Sequence, residues 1–115
     1  MNRDKSFAHK RIGILGGSFN PAHRGHLHIS RQALDLMYLD EVWWMVSSQN
    51  PLKPSNGMAD FDVRIQSAHT MSQDRRIRVT DIEIELGTTY TAETLKKLKE
   101  IYPKANFVWL MGADN

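Results

Sequence analysis

The chain has 115 residues, 41% of them hydrophobic and 24% charged, with 15 Lys and Arg against 13 Asp and Glu and no cysteine. That length suits one domain around one hydrophobic core, and the lack of cysteine excludes disulfides, thiol catalysis and cysteine-held zinc. A formal charge of +2, scattered rather than gathered in blocks, gives no footing for nucleic-acid binding. No apolar run approaches the roughly 20 residues of a membrane span, and Met1 to Lys10 is polar, so no membrane partner and a cytoplasmic location are expected.

Residues 1–10 read as a polar extension. From Arg11 the run Arg-Ile-Gly-Ile-Leu stops at Gly16-Gly17, as a buried strand entering a loop does. Leu27, Leu34 and Met37, with Ile29, Ala33 and Leu36 beside them, predict a helix from His26 to about Leu39. Glu41 to Ser48 is rich in aromatic and β-branched residues without alternation, which predicts a strand covered on both faces; Trp43 and Trp44 are then packing residues on opposite faces. Gln49 to Ala59 carries Pro51, Pro54, Asn56 and Gly57 and reads as a long loop.

Asp60 is placed to cap a helix whose apolar side is Phe61, Ile65 and Ala68. Ile77 to Leu86 alternates Ile82, Ile84 and Leu86 with acids, which predicts an edge strand with one wet face. Leu95, Leu98 and Ile101 form a helical stripe over Ala92 to Tyr102 that Pro103 ends, and Asn106 to Gly112 is a further apolar strand. The order β-α-β-α-β-α-β predicts an α/β, doubly wound, Rossmann-like parallel sheet, whose ligands bind outside the carboxyl ends of strands where strand order reverses. The loops after strands one and four are the expected place.

The sharpest motif is Gly16-Gly17-Ser18-Phe19-Asn20-Pro21-Ala22-His23-Arg24-Gly25-His26. Glycines let backbone approach a ligand, and N–H groups free at a turn and a helix N-terminus suit phosphate oxygens. His23 and His26, three apart, can point into one mouth as hydrogen-bond donors, with Gly25 leaving space between them. Zinc is a poor alternative, because no third ligand accompanies the two histidines. His9, His28 and His69 have no clustered partners and receive no role.

This segment, directly after a strand, resembles the His-x-Gly-His signature of the nucleotidyltransferase superfamily, in the form used by nicotinate mononucleotide adenylyltransferases. The resemblance implies that His23 and His26 contact ATP phosphates during transfer, with Gly16, Gly17, Ser18 and Phe19 lining the phosphate site and Asn20 on the mononucleotide side. Gly87 to Leu95, Gly-Thr-Thr-Tyr-Thr-Ala-Glu-Thr-Leu, is similar to a segment that borders the nicotinate ring in those enzymes, which implies mononucleotide contacts from Thr89, Tyr90 and Thr91. Met111-Gly112-Ala113-Asp114-Asn115 is similar to a run that faces the nucleotide, implying roles for Gly112 and Asp114, and Lys53 stands where relatives often place a basic residue near phosphate. ATP and nicotinate mononucleotide are the implied partners, with Mg2+ held mainly by the phosphates and none by a protein metal site.

Two other readings stay open: a different adenylyltransferase, such as one acting on phosphopantetheine, and a non-catalytic nucleotide-binding remnant. The superfamily's Ser/Thr-rich signature with Arg is not found in the sequence. Residues 11–115 are accordingly read as the N-terminal part of a nucleotidyltransferase domain truncated after its fourth strand, poorly active or inactive alone. Its apolar fourth strand would then favour homo-oligomers.

Overall fold

The computed structural model describes residues 9–47, 60–82 and 91–110. Among the described residues four strands, β1 (Arg11–Gly17), β2 (Glu41–Val46), β3 (Ile77–Thr80) and β4 (Asn106–Leu110), are interleaved with three helices, α1 (Arg24–Leu36), α2 (Phe61–Met71) and α3 (Thr91–Ile101). All pairings are parallel and the order is β3-β2-β1-β4. The chain steps outward from β1 to β3, then returns across the sheet to β4 on the other side of β1. Strand order thus reverses between β1 and β4, where Leu15 lies opposite Leu110.

Both faces are covered. Leu15, Val42, Trp44 and Val46 join Leu34 of α1 and Ala68 of α2 in one core cluster; Ile12, Ile14, Trp43 and Met45 join Leu98 of α3 in the other. This is the period-two alternation of a strand buried on both sides, and Trp43 and Trp44 face opposite layers as expected. The predicted apolar side of α2 also holds, since Phe61 and Ile65 pack against the cluster that contains Ala68.

Several boundaries differ from the sequence reading, and those of α1 and β3 have clear local reasons. Helix α1 starts two residues before His26, because His23 caps it, and ends at Leu36 rather than near Leu39. Its end is a Schellman-type stop: Tyr38 adopts φ 53° and the Leu39 N–H bonds the Leu34 carbonyl at 3.2 Å. Asp60 holds the N-cap position of α2 but makes no side-chain cap bond. Strand β3 stops at Thr80, whose Oγ1 accepts the Ile82 N–H at 3.1 Å and bends the chain out of the ladder. Ile82 is buried among Ile12, Ile14 and Leu98, and β3 is at the sheet edge as predicted. The polar extension also contributes structure at its end: the Lys10 carbonyl accepts from Asn106 N–H at 2.9 Å.

The amino ends of the strands are held by charge. Glu41 accepts from Trp43 Nε1 at 3.0 Å, Arg78 Nε at 2.8 Å and Lys10 Nζ at 3.2 Å. Burial pushes its pKa up, but the Trp43 and Lys10 hydrogen bonds and the Arg78 and Lys10 charges outweigh that, and the net shift is downward. Asp74 accepts from Arg76 through Nε, Nη2 and the backbone N–H, with Arg31 3.6 Å away, and its pKa falls well below the carboxylate range chiefly through the Arg76 hydrogen bonds.

A carboxylate with a lowered folded pKa contributes stability that is full above its unfolded value and is lost as pH falls through the folded one. Urea midpoints should therefore drop on acidification below about pH 4. Asp74→Asn should be less stable at neutral pH and show a flatter acid dependence, both read from urea titrations at stepped pH.

Candidate functional site

The segment after β1 is shaped by a reciprocal cap. His23, with extended backbone (φ −144°, ψ 175°), is the N-cap of α1. Its Nδ1 accepts the Gly25 N–H at 3.1 Å, and His26 Nδ1 accepts the His23 N–H at 3.0 Å. This is a capping box in which two imidazoles replace the usual hydroxyl and carboxamide. An Nδ1 that accepts cannot carry the proton of a neutral ring, so both neutral rings are Nε2–H tautomers and each presents its donor on the side away from the helix backbone.

The rings lie together, their centroids 4.0 Å apart, but they are not equally open. His23 is exposed; His26 is 2% exposed, its ring 4.5 Å from that of Phe19 and 5.9 Å from that of Trp44. The layer below is fixed by polar contacts as well: Trp44 Nε1 donates to Ser30 Oγ at 2.7 Å, and Ser30 Oγ donates to the His26 carbonyl at 2.8 Å. A buried cluster of three rings, Phe19 stacked on Trp44 and His26 tilted against both, thus supports the exposed His23.

Some expected roles change. The sequence reads the N–H groups of the turn and helix N-terminus as free for phosphate, yet at the entry to α1 those of His23 and Gly25 are taken by imidazole Nδ1, and that of Ala22 bonds Ser67 Oγ at 3.2 Å. The donors move outward to the rings. Gly25 serves the cap more than a ligand, since a Cβ there would lie 2.8 Å from His23 Cε1. Gly16 makes room for packing: a Cβ would come within 2.5 Å of Trp109 Cη2.

Gly17 ends β1, and its carbonyl accepts from Ser47 N–H at 2.8 Å. The Ser18 carbonyl accepts from Arg64 Nη1 at 2.9 Å. Phe19 is wholly buried with φ 51°, a left-handed conformation that is costly for a bulky residue, of order 1–3 kcal/mol, and tends to gather at functional sites. Its ring belongs to the core, so what it can offer a ligand is its N–H, which makes no hydrogen bond among the described residues. Asn20 is exposed on the loop. No acidic residue occupies the first turn of α1, which leaves the positive end of the helix dipole suited to an anion.

Sequence reasoning missed Arg64. It is 3% exposed, and Nη1 also donates to the Ser47 carbonyl at 2.7 Å, joining the exits of β1 and β2. Burial lowers its pKa from the ordinary arginine value, and the guanidinium lies 5.4 Å from the Phe61 ring centroid. A lone arginine on the apolar side of a helical pattern was the available signal. Thr91 opens α3, its side chain outside the described part; Lys53, Thr89, Tyr90, Gly112 and Asp114 lie outside the described residues. Among the described residues no group of three His, Asp or Glu is placed to hold a metal ion, and no helix is long and apolar enough to cross a membrane.

A family model described as cytidylyltransferase-like matches residues 14–115, and the chain belongs to that family. It is 59% identical over 105 residues to a protein of Parvibaculum lavamentivorans, and 59% over 104 to one of Gluconobacter oxydans, both assigned as nicotinate-nucleotide adenylyltransferase. These matches cover 91% and 90% of the chain but 52% and 53% of the relatives, so the chain spans about half their length. Among solved structures it is similar to Plasmodium falciparum nicotinic acid mononucleotide adenylyltransferase complexed with NaAD, with TM-score 0.75, 25% identity and coverage of 88% of this chain and 51% of that one. A Vibrio parahaemolyticus protein assigned to the same activity gives TM-score 0.73 and 28% identity, covering 92% of this chain and 63% of that one. The four-stranded parallel sheet is thus of nucleotidyltransferase type.

Gly25→Ala tests the cap. Alanine gains roughly 1 kcal/mol of helix propensity over glycine, and losing an N-cap costs about the same, so stability should change by less than about 0.5 kcal/mol in urea unfolding. The His23 ring, however, should leave the Gly25 position's N–H, read as a change in its imidazole 15N shifts. Unchanged His23 signals would contradict the packing described.

Proposed function

We propose that the protein performs adenylyl transfer from ATP to nicotinate mononucleotide, giving deamido-NAD and pyrophosphate in NAD biosynthesis. The observation that carries this reading is the pair of tilted histidine rings, centroids 4.0 Å apart and each accepting at Nδ1, that follows the carboxyl end of β1 beside the point where strand order reverses. The names of the relatives and of the structural neighbour bound to NaAD favour the pyridine mononucleotide as acceptor.

An oxygen of the mononucleotide phosphate attacks the α-phosphorus of ATP; the new P–O bond forms as the bond to the β,γ-diphosphate breaks, and pyrophosphate leaves. The attacking oxygen is already anionic, so no general base is needed, and the protein's part is positioning and charge stabilisation. His23 offers its Nε2–H to the phosphates from the open side. His26 backs that ring and supplies a second imidazole donor as the phosphates settle, while the Phe19 N–H can take a further phosphate oxygen.

The donor set described here, imidazole and amide N–H groups, suits phosphate oxygens rather than a cation. Mg2+ would arrive with ATP, held mainly by its phosphates, and would neutralise part of their charge. Lys53, Gly112 and Asp114 on the ATP side, and Asn20, Thr89, Tyr90 and Thr91 around the acceptor, complete the proposed site. ATP and a mononucleotide as substrates fit a cytoplasmic enzyme.

Pyrophosphate release is to be measured on the protein at full length with nicotinate mononucleotide, nicotinamide mononucleotide and phosphopantetheine in turn. Nicotinate mononucleotide should be preferred over both. His26→Ala should lower turnover by roughly 10²–10³, the usual effect of losing one transition-state donor. Equal rates with phosphopantetheine, or an unimpaired His26→Ala enzyme, would reject this reading.

A further inference from the structure

Helix α2 touches the phosphate-loop segment twice, from successive turns on one side. Arg64 Nη1 donates to the Ser18 carbonyl at 2.9 Å, near the loop's start, and Ser67 Oγ accepts the Ala22 N–H at 3.2 Å, immediately before the capping histidine. The two residues are themselves linked, since Ser67 Oγ donates to the Arg64 carbonyl at 2.9 Å. The same Arg64 nitrogen holds the Ser47 carbonyl at 2.7 Å. One guanidinium corner therefore fixes the spacing between the exits of β1 and β2.

The consequence for the loop follows from peptide geometry. In a planar trans peptide the C=O and the following N–H point in opposite directions. Holding the Ser18 carbonyl toward Arg64 therefore turns the Phe19 N–H the other way, and the left-handed φ of 51° at Phe19 is kept by the buried ring on one side and the anchored peptide on the other. Arginine suits this work because its fork presents several donors in one plane and stays charged when buried.

We infer that Arg64 and Ser67 are positioning residues for adenylyl transfer: they clamp the 18–22 segment at both ends, so that the Phe19 N–H and the His23 ring are presented to phosphate before ATP binds. This rests on the reading of the loop as a phosphate site. Neither residue need touch ATP.

The test compares the protein with Arg64→Met, Arg64→Lys, Ser67→Ala and Leu98→Ala. Leu98 is wholly buried on the opposite face of the sheet, so its variant supplies a loss of melting temperature without touching the loop. Two quantities are read well below the melting transition: amide hydrogen exchange at His23 and Gly25, and ATP affinity by titration. Arg64→Met should weaken ATP binding at least tenfold and speed exchange at both amides at least tenfold, Arg64→Lys should recover part of each, and Leu98→Ala should change neither. Ser67→Ala should shift both quantities in the same direction as Arg64→Met, and it carries the test if Arg64→Met does not fold.

Exchange and affinity in Arg64→Met and Ser67→Ala equal to those of Leu98→Ala would overturn the clamp. Failure of the unsubstituted protein to bind ATP would instead reject the functional reading, and the exchange rates alone would still decide the clamp.

Discussion

The reciprocal bond between the His23 N–H and His26 Nδ1, with the Gly25 N–H returned to His23 Nδ1, is the interaction on which the rest of the site depends. It starts helix α1, selects the tautomer of both rings and sets their spacing. A helix N-terminus ordinarily presents backbone N–H groups to an anion. Here the N–H groups of His23 and Gly25 are turned inward to imidazole Nδ1 atoms, and both rings are held in a fixed orientation before any ligand arrives. The arrangement needs Gly25, because a side chain there would meet the His23 imidazole.

The sheet gives this cap its location. β1 is central, paired with β2 on one side and β4 on the other, and the reversal of strand order beside it leaves a place for a ligand at the carboxyl ends. Packing beneath the loop removes its freedom. The Phe19 and Trp44 rings stack at 5.3 Å between centroids, Ser30 ties Trp44 to the His26 carbonyl, and Arg64 ties the exits of β1 and β2. A strained residue at Phe19 persists only because its surroundings over-determine it, and each of these contacts is part of that surrounding.

Much of this was legible in the sequence. The continuous apolar runs at Ile12 to Leu15 and Val42 to Val46 announced buried parallel strands, and the histidine spacing announced a paired site after the first of them. The cap was less legible, because histidine is not among the residues that usually cap helices, so His26 rather than Arg24 looked like the helical start. Ser or Asp in the place of His23 would have marked the boundary. Thr80 ends β3 through its own hydroxyl, a local competition that hydrophobic alternation does not register. Arg64 was hidden for a different reason: its partners, Ser18 and Ser47, are 46 and 17 residues away, and only the sheet brings their carbonyls together. Gly16 reads in sequence as room for a ligand, but what a Cβ there would meet is the Trp109 ring, which β4 brings from the far end of the sequence.

The most direct test of the account is the tautomeric state of the two rings, read from imidazole 15N chemical shifts and one-bond 15N–1H couplings in the unliganded protein. Above the range in which imidazole protonates, both His23 and His26 should show an unprotonated, hydrogen-bonded Nδ1 and a protonated Nε2. A protonated Nδ1 on either neutral ring would mean that it donates where it is described as accepting, which would remove the cap and, with it, the proposed offer of Nε2–H to phosphate.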